Sequence, residues 1–154
     1  MDDWKKDRIG SALRGENPTV IGRMKTGFAV IGDPQFLPGY CILLAYPKVS
    51  SLNDLDAGAR KDFLFDMSLL GDAIMDVCKP LRVNYDILGN TDTFLHAHVF
   101  PRYEWEEEAK RKAPVWQYPR ENWTLDKYQF SENTHGDLKQ KLSLKLKALM
   151  ETYY

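Results

Sequence analysis

The chain is short of most features that announce a function. It has two cysteines and three histidines among 154 residues, and its formal net charge is -1. Cys41 and Cys78 lie far apart in apolar segments with no paired spacing. They read as reduced core thiols of a cytoplasmic protein, which excludes a disulfide framework. The small net charge removes any global attraction to nucleic acid or acidic membranes, so an anionic ligand must be held by local donors. The longest uncharged stretch, Pro34 to Pro47, is too short to span a bilayer and is broken by prolines and a glycine. The start, Met1-Asp2-Asp3-Trp4-Lys5-Lys6, is charged with no apolar run behind it, so no secretory signal is expected. There is no Walker glycine-lysine loop, no dinucleotide fingerprint and no Gly-x-Ser-x-Gly elbow.

What is present fits one soluble domain, 1–154, with a core over about 17–118 and a C-terminal extension over 119–154. Residues 2–13 are predicted to form a short helix with Asp2 or Asp3 near its start. Thr19 to Arg23 and Gly27 to Ile31 read as strands joined by a turn at Lys25-Thr26-Gly27. Tyr40 to Ala45 is a nearly continuous apolar run, the pattern of a strand covered on both faces. A helix is predicted over 57–78 with Asp56 as its cap, because Phe63, Met67, Leu70, Ile74 and Val77 form one apolar stripe and Pro80 stops it. Gly71 interrupts that stripe, by close approach to the sheet or by accident. Arg82 to Leu88 is a further strand, and Gly89-Asn90 turns the chain. Glu106, Glu107 and Glu108 each stand four residues before a base, which predicts a short exposed helix with a solvated face. Trp116, Tyr118, Trp123, Tyr128 and Phe130 predict an extended segment anchored by aromatic side chains. Residues 137–150 fit a helix capped by Asp137. The order of elements predicts an α+β fold: a mainly antiparallel sheet, a long central helix and a C-terminal helix.

Two of the three histidines lie one residue apart, in Phe94-Leu95-His96-Ala97-His98-Val99-Phe100-Pro101-Arg102. This stretch reads as a strand, whose side chains alternate between faces. Leu95, Ala97 and Val99 share an apolar face. Phe94, His96, His98 and Phe100 share the other. Three readings of the pair compete. The histidines could be structural. They could offer two ligands to zinc, with His135 in a polar loop as the only other imidazole. Or one could act as a nucleophile while the other orients it or donates to a bound anion. Asn84, Asn90, Thr91 and Thr93 favour the third reading, because neutral donors can stabilise charge on a phosphoryl oxygen. Gly89 would let backbone N–H groups approach a ligand. Arg102 could pair with a phosphate or with a structural carboxylate.

The run from Phe94 to Arg102 resembles the His-φ-His-φ-His-φ-φ motif, φ being apolar, of the histidine triad family of nucleotide hydrolases and transferases. Asn84-Tyr85-Asp86-Ile87-Leu88-Gly89-Asn90, Arg102-Tyr103 and Pro114-Val115-Trp116 resemble a bacterial branch of that family. Pro38-Gly39-Tyr40-Cys41-Ile42-Leu43-Leu44 resembles its Pro-Gly-His strand, and Leu52-Asn53-Asp54-Leu55 the segment leading into its central helix. The resemblance covers about 17–118. It implies that His96 is the nucleophile, attacking the α-phosphorus of a dinucleoside polyphosphate or nucleotide phosphoramidate, and that His98 contacts phosphate. It places Asn90 at the phosphate or leaving group and Asp33 at a ribose hydroxyl; Asn84, Tyr40, Thr91 and Arg102 are further candidate substrate contacts on their own chemistry. It implies no metal held by the protein, although a polyphosphate substrate can carry magnesium. It implies a nucleotide as partner, with neither nucleic acid nor membrane, and a homodimer as the assembly.

Two positions depart from the family pattern. Phe94 stands where the first triad histidine belongs, and Tyr40 where the Pro-Gly-His histidine belongs. Both family histidines belong to the hydrogen-bonded network around the nucleophile, and tautomer and orientation govern imidazole catalysis. Tyr40 can still donate one hydrogen bond, whereas a phenyl ring cannot. The resemblance therefore implies an enzyme acting through His96, or a nucleotide-binding protein of the same fold with impaired catalysis.

Overall fold

The structure is a computed structural model and describes residues 3–154. The chain runs through a 3-10 turn at Asp3–Lys5, helix α1 (Arg8–Leu13), strands β1 (Val20–Met24), β2 (Gly27–Ile31) and β3 (Cys41–Ala45), and helix α2 (Ala57–Cys78). It continues through β4 (Arg82–Asp86), β5 (His96–Arg102), the short helices α3 (Glu108–Arg111) and α4 (Arg120–Thr124), and α5 (Glu132–Tyr153). The strands form one five-stranded sheet in the order β1-β2-β3-β5-β4, and each neighbouring pair is antiparallel. This is the predicted α+β class. Among the described residues, no helix is long and apolar enough to cross a membrane.

One face of the sheet carries α2 and α5. Leu95, just before β5, Ala97 and Val99 of β5 and Leu43 of β3 pack there with Phe63, Leu70 and Ile74 of α2. Asp56 caps α2, its carboxylate accepting from the backbone N–H of Ala59 at 2.8 Å. Gly71 is a site of close approach: a β-carbon there would lie 2.0 Å from Tyr85 Oη of β4. The helix therefore presses on the sheet where it has no side chain. α5 lies against α2 and β1 and buries Leu142 and Leu146 in the same core.

The other face has two covers. Ile9 of α1 packs on Phe28, Val30 and Leu44. The segment after the sheet folds back over Tyr40 and Phe100, with Phe36, Val115, Tyr118 and Trp123 in the same cluster. This is the aromatic anchoring expected of 113–130, but the segment is not extended: it holds α4 and 3-10 turns at Val115–Gln117 and Asp126–Tyr128.

Three local expectations are corrected. The N-terminal helix begins at Arg8, because Asp7 supplies the cap by accepting from Gly10 N at 2.8 Å. Asp3 lies in the separate 3-10 turn, and Asp2 lies outside the described residues. The C-terminal helix begins at Glu132, since Ser131 accepts from Thr134 N well before Asp137 is reached. The run 106–112 is not a uniformly solvated face. Glu108 pairs with Lys112 at 2.6 Å as expected, but Glu106 is buried on Arg102.

Leu142→Ala should empty a fully buried position between α5 and α2. The expected loss is about 2–5 kcal/mol, read as a lower urea midpoint with an unchanged m-value.

Candidate functional site

His96 and His98 project from the centre of β5, opposite Leu44 and Ile42 of β3. Their rings stand 4.9 Å apart and nearly perpendicular, at 76°. The Nδ1 of His96 lies 2.7 Å from the backbone carbonyl oxygen of Phe94. A carbonyl can only accept, so Nδ1 carries the proton and donates it. The Nε2 of the neutral ring is then left with a lone pair. The tautomer demanded of a nucleophilic imidazole is thus set by the backbone at residue 94, although its side chain is a phenyl ring.

His98 is held the opposite way. Tyr40 Oη is 2.7 Å from His98 Nδ1. Burial and the nearby Asp33 carboxylate raise the phenol's pKa well above its usual value, so Tyr40 remains protonated. Among the described residues, Tyr40 Oη has no acceptor other than this nitrogen. Its hydroxyl therefore donates to Nδ1, and the neutral His98 carries its proton on Nε2. Tyr40, Phe100 and Trp116 enclose the ring. Burial, and secondarily the proximity of His96, lowers the His98 pKa to about 4. A neutral His96 thus presents a lone pair beside the Nε2–H donor of His98.

A cavity of about 300 Å³ opens over both rings. Asp33, Pro34 and Ile42 line one end, Lys48, Asp92 and Phe94 the other, and Lys5, Lys6, Arg8 and Ile9 of the N-terminal segment form a wall. A second cavity of about 230 Å³, lined by Ser50, Ser51, Asn53 and Gly89, shares Phe94 and His96 with the first. This volume suits a small molecule.

The other sequence candidates divide into three groups. Asp33 and Tyr40 join the histidines, but the Asp33 carboxylate is already held in a bidentate pair by Arg8, at 2.6 and 3.2 Å. Asn90 and Thr91 are exposed in the loop between β4 and β5 and line neither cavity. Arg102 and Asn84 are corrected to a structural role. Arg102 is buried and donates to Glu106, to Asn84 Oδ1 and to the carbonyls of Lys110 and Ala113. That set consumes its five N–H groups, so none is left for a phosphate. Of the two partners open to this arginine, a structural carboxylate is the one it has.

Sequence reasoning missed the cavity wall. Lys5, Lys6, Arg8 and Lys48 carried no pattern, and only folding brings them over β5. It also missed the Phe94 carbonyl, which no side-chain motif can report. His135 does not approach the pair; it stacks on Phe130, and its Nδ1 accepts from Ser131 N. Among the described residues, no group of three histidines, cysteines or carboxylates converges as metal ligands would.

No protein-family model matches the chain, and no curated protein sequence does. Solved structures do. A histidine triad protein from Marinobacter aquaeolei VT8 superposes with a TM-score of 0.70 and 21% identity, over 84% of this chain and 89% of that one. A histidine triad protein from Bradyrhizobium japonicum gives 0.70 and 19%, over 88% and 95%. A diadenosine triphosphate hydrolase from Plasmodium falciparum gives 0.57 and 16%, over 88% and 79%. The chain has the fold of histidine triad proteins.

The depressed His98 pKa makes stability pH-dependent with a definite sign. The unfolded chain takes up this proton near 6.5, the folded chain only near 4. His98 therefore contributes full stability above about 6.5 and loses it as pH falls toward 4. Urea unfolding at pH 7 and pH 5 should show a larger acid loss in the native protein than in His98→Asn. An equal loss in both would contradict the assignment.

Proposed function

We propose that the chain is a nucleotide hydrolase or nucleotidyl transferase that cleaves at the α-phosphate through a nucleotidyl-His96 intermediate. The observation carrying this reading is the 2.7 Å bond from His96 Nδ1 to the Phe94 carbonyl, which leaves Nε2 as the lone-pair nitrogen of a ring that lines the cavity. Nε2 attacks the α-phosphorus, the bond to the leaving group breaks, and the leaving group departs with the electron pair. A phosphate leaving group departs as its anion; an amine takes a proton from solvent. The Nε2–H of His98 donates to a phosphoryl oxygen while charge develops there. Water or another acceptor then attacks phosphorus, and the electron pair of the N–P bond returns to His96. The substrates that suit this chemistry are dinucleoside polyphosphates and nucleotide phosphoramidates. In this reading the protein holds no metal of its own, and magnesium enters only with a polyphosphate.

A second reading rests on Phe94. A nucleotide-binding protein of this fold with impaired turnover would also tolerate a phenyl ring where the family motif has an imidazole. The unpaired thiols of Cys41 and Cys78 support a reducing, cytoplasmic setting. The sheet edges support a homodimer. The β1 edge is partly satisfied by α5, with Ser143 Oγ donating to Ile21 O at 2.7 Å. The β4 edge is open, flanked by the exposed Leu81, Tyr85 and Leu88.

Purified protein with EDTA present should release AMP from diadenosine polyphosphates or adenosine phosphoramidate. His96→Ala should lose on the order of 10⁴-fold in rate while retaining the nucleotide. Binding without release by the native protein would select the second reading. Light scattering should give about twice the chain mass of 17.8 kDa; a mass equal to one chain would remove the dimer.

A further inference from the structure

The geometry points to Arg8 as a residue that sets sugar specificity. By closing on Asp33 it withdraws that carboxylate from the ligand, so the site takes ribonucleotides and 2′-deoxyribonucleotides alike. This inference rests on the nucleotide reading above, with the nucleoside lying at the Asp33 end of the cavity.

Ile9, Pro34, Ile42 and Leu44 give the cavity its aliphatic surface, which suits a base and a sugar. A free carboxylate beside that surface would select ribose. It accepts from the sugar hydroxyls, and a charge-assisted hydrogen bond is about twice as strong as a neutral one. Asp33 is not free. Arg8 Nη1 donates to its Oδ1 at 3.2 Å and Arg8 Nη2 to its Oδ2 at 2.6 Å. The pair engages both oxygens and cancels the charge that makes such an acceptor strong. Asp7, also on the cavity wall, caps α1 by accepting from Gly10 N.

The pairing is built into the fold at both ends. The guanidinium carbon of Arg8 lies 5.1 Å from the centroid of the Trp4 ring, so one face of the cation is covered. The backbone around it is pinned. The Arg8 carbonyl accepts from Asn17 Nδ2 at 3.0 Å and from Ser11 Oγ at 3.1 Å. The same Ser11 hydroxyl lies 3.0 Å from the Trp4 carbonyl. Ile9 is buried on Phe28, Val30 and Leu44. On the other side, the Asp33 carbonyl accepts from Phe130 N at 2.6 Å, which ties its loop to the segment before α5. A bidentate pair whose two backbones are held in this way escapes the entropy cost that makes most surface pairs weak.

Calorimetry on the full chain in EDTA, with AMP, GMP and their 2′-deoxy forms, reads the ratio of ribose to deoxyribose affinity. Both forms carry the same phosphate, so any effect of Arg8 on the phosphate cancels in the ratio. In the native protein the two forms should bind within about twofold of each other, because a neutralised acceptor adds little. Arg8→Gln frees Asp33 and should raise the preference for ribose to about tenfold, the size of one charge-assisted contact. Arg8→Met, which keeps the aliphatic stem on Trp4, takes its place if Arg8→Gln fails to fold. Adding Asp33→Asn should return the ratio to the native value, and Arg8→Lys, which keeps a cation on Asp33, should leave it there. A tenfold ribose preference in the native protein overturns the inference and leaves the nucleotide reading standing. So does a ratio that removal of Arg8 fails to move, since Asp33 then never faced the sugar. Failure of every nucleotide to bind discards the inference and the nucleotide reading together.

Discussion

Strand β5 must satisfy two opposed demands. Its odd-numbered residues have to leave water, and His96 and His98 have to line the cavity. The period of two in an extended chain meets both at once. Leu95, Ala97 and Val99 lock the strand onto α2, and the same locking turns His96 and His98 to the opposite face. A slip of one residue against β3 would bury two imidazoles among aliphatic side chains and expose the apolar set. The pairing of Leu44 with His96 and of Ile42 with His98 fixes the register on which the rest depends.

The two imidazoles are made different by their partners. The Phe94 carbonyl can only accept, and the buried Tyr40 hydroxyl donates, so the proton sits on Nδ1 in one ring and on Nε2 in the other. Here a main-chain oxygen holds one ring and a phenol the other. The end of β5 is anchored separately. Arg102 and Glu106 are buried together, and Tyr118 adds a hydrogen bond to Glu106 at 2.6 Å. Breaking one partner of such a pair leaves an uncompensated buried charge. The network holds the aromatic segment over Phe100 and carries Trp116 to the edge of His98.

Much of the fold was legible because it rests on local periodicity. The helix over 57–78, its Asp56 cap, the hairpin and the two faces of the histidine strand all follow from side-chain spacing and cap chemistry. Helix starts were less legible. Asp3 and Asp137 are chemically suitable caps, and Asp7 and Ser131 were chosen because the neighbouring chain packs from there. Glu106 shows the same limit. Its spacing to Lys110 is that of a surface pair, yet a buried arginine three-dimensionally closer claims it.

Of the candidate site, the sequence by itself determined the strand, its alternation, and the presence of two adjacent imidazoles followed by a proline and an arginine. Those are properties of neighbours along the chain. Tertiary structure alone decided which groups face them. It placed Arg8 on Asp33, closed Arg102 into the interior, left Asn90 and Thr91 in solvent, and brought Lys5 and Lys48 to the cavity. Each of these depends on where segments far apart in sequence meet. Such encounters are set by burial of the apolar faces as a whole, and the polar residues carried along with those faces leave no periodic trace of where they will arrive.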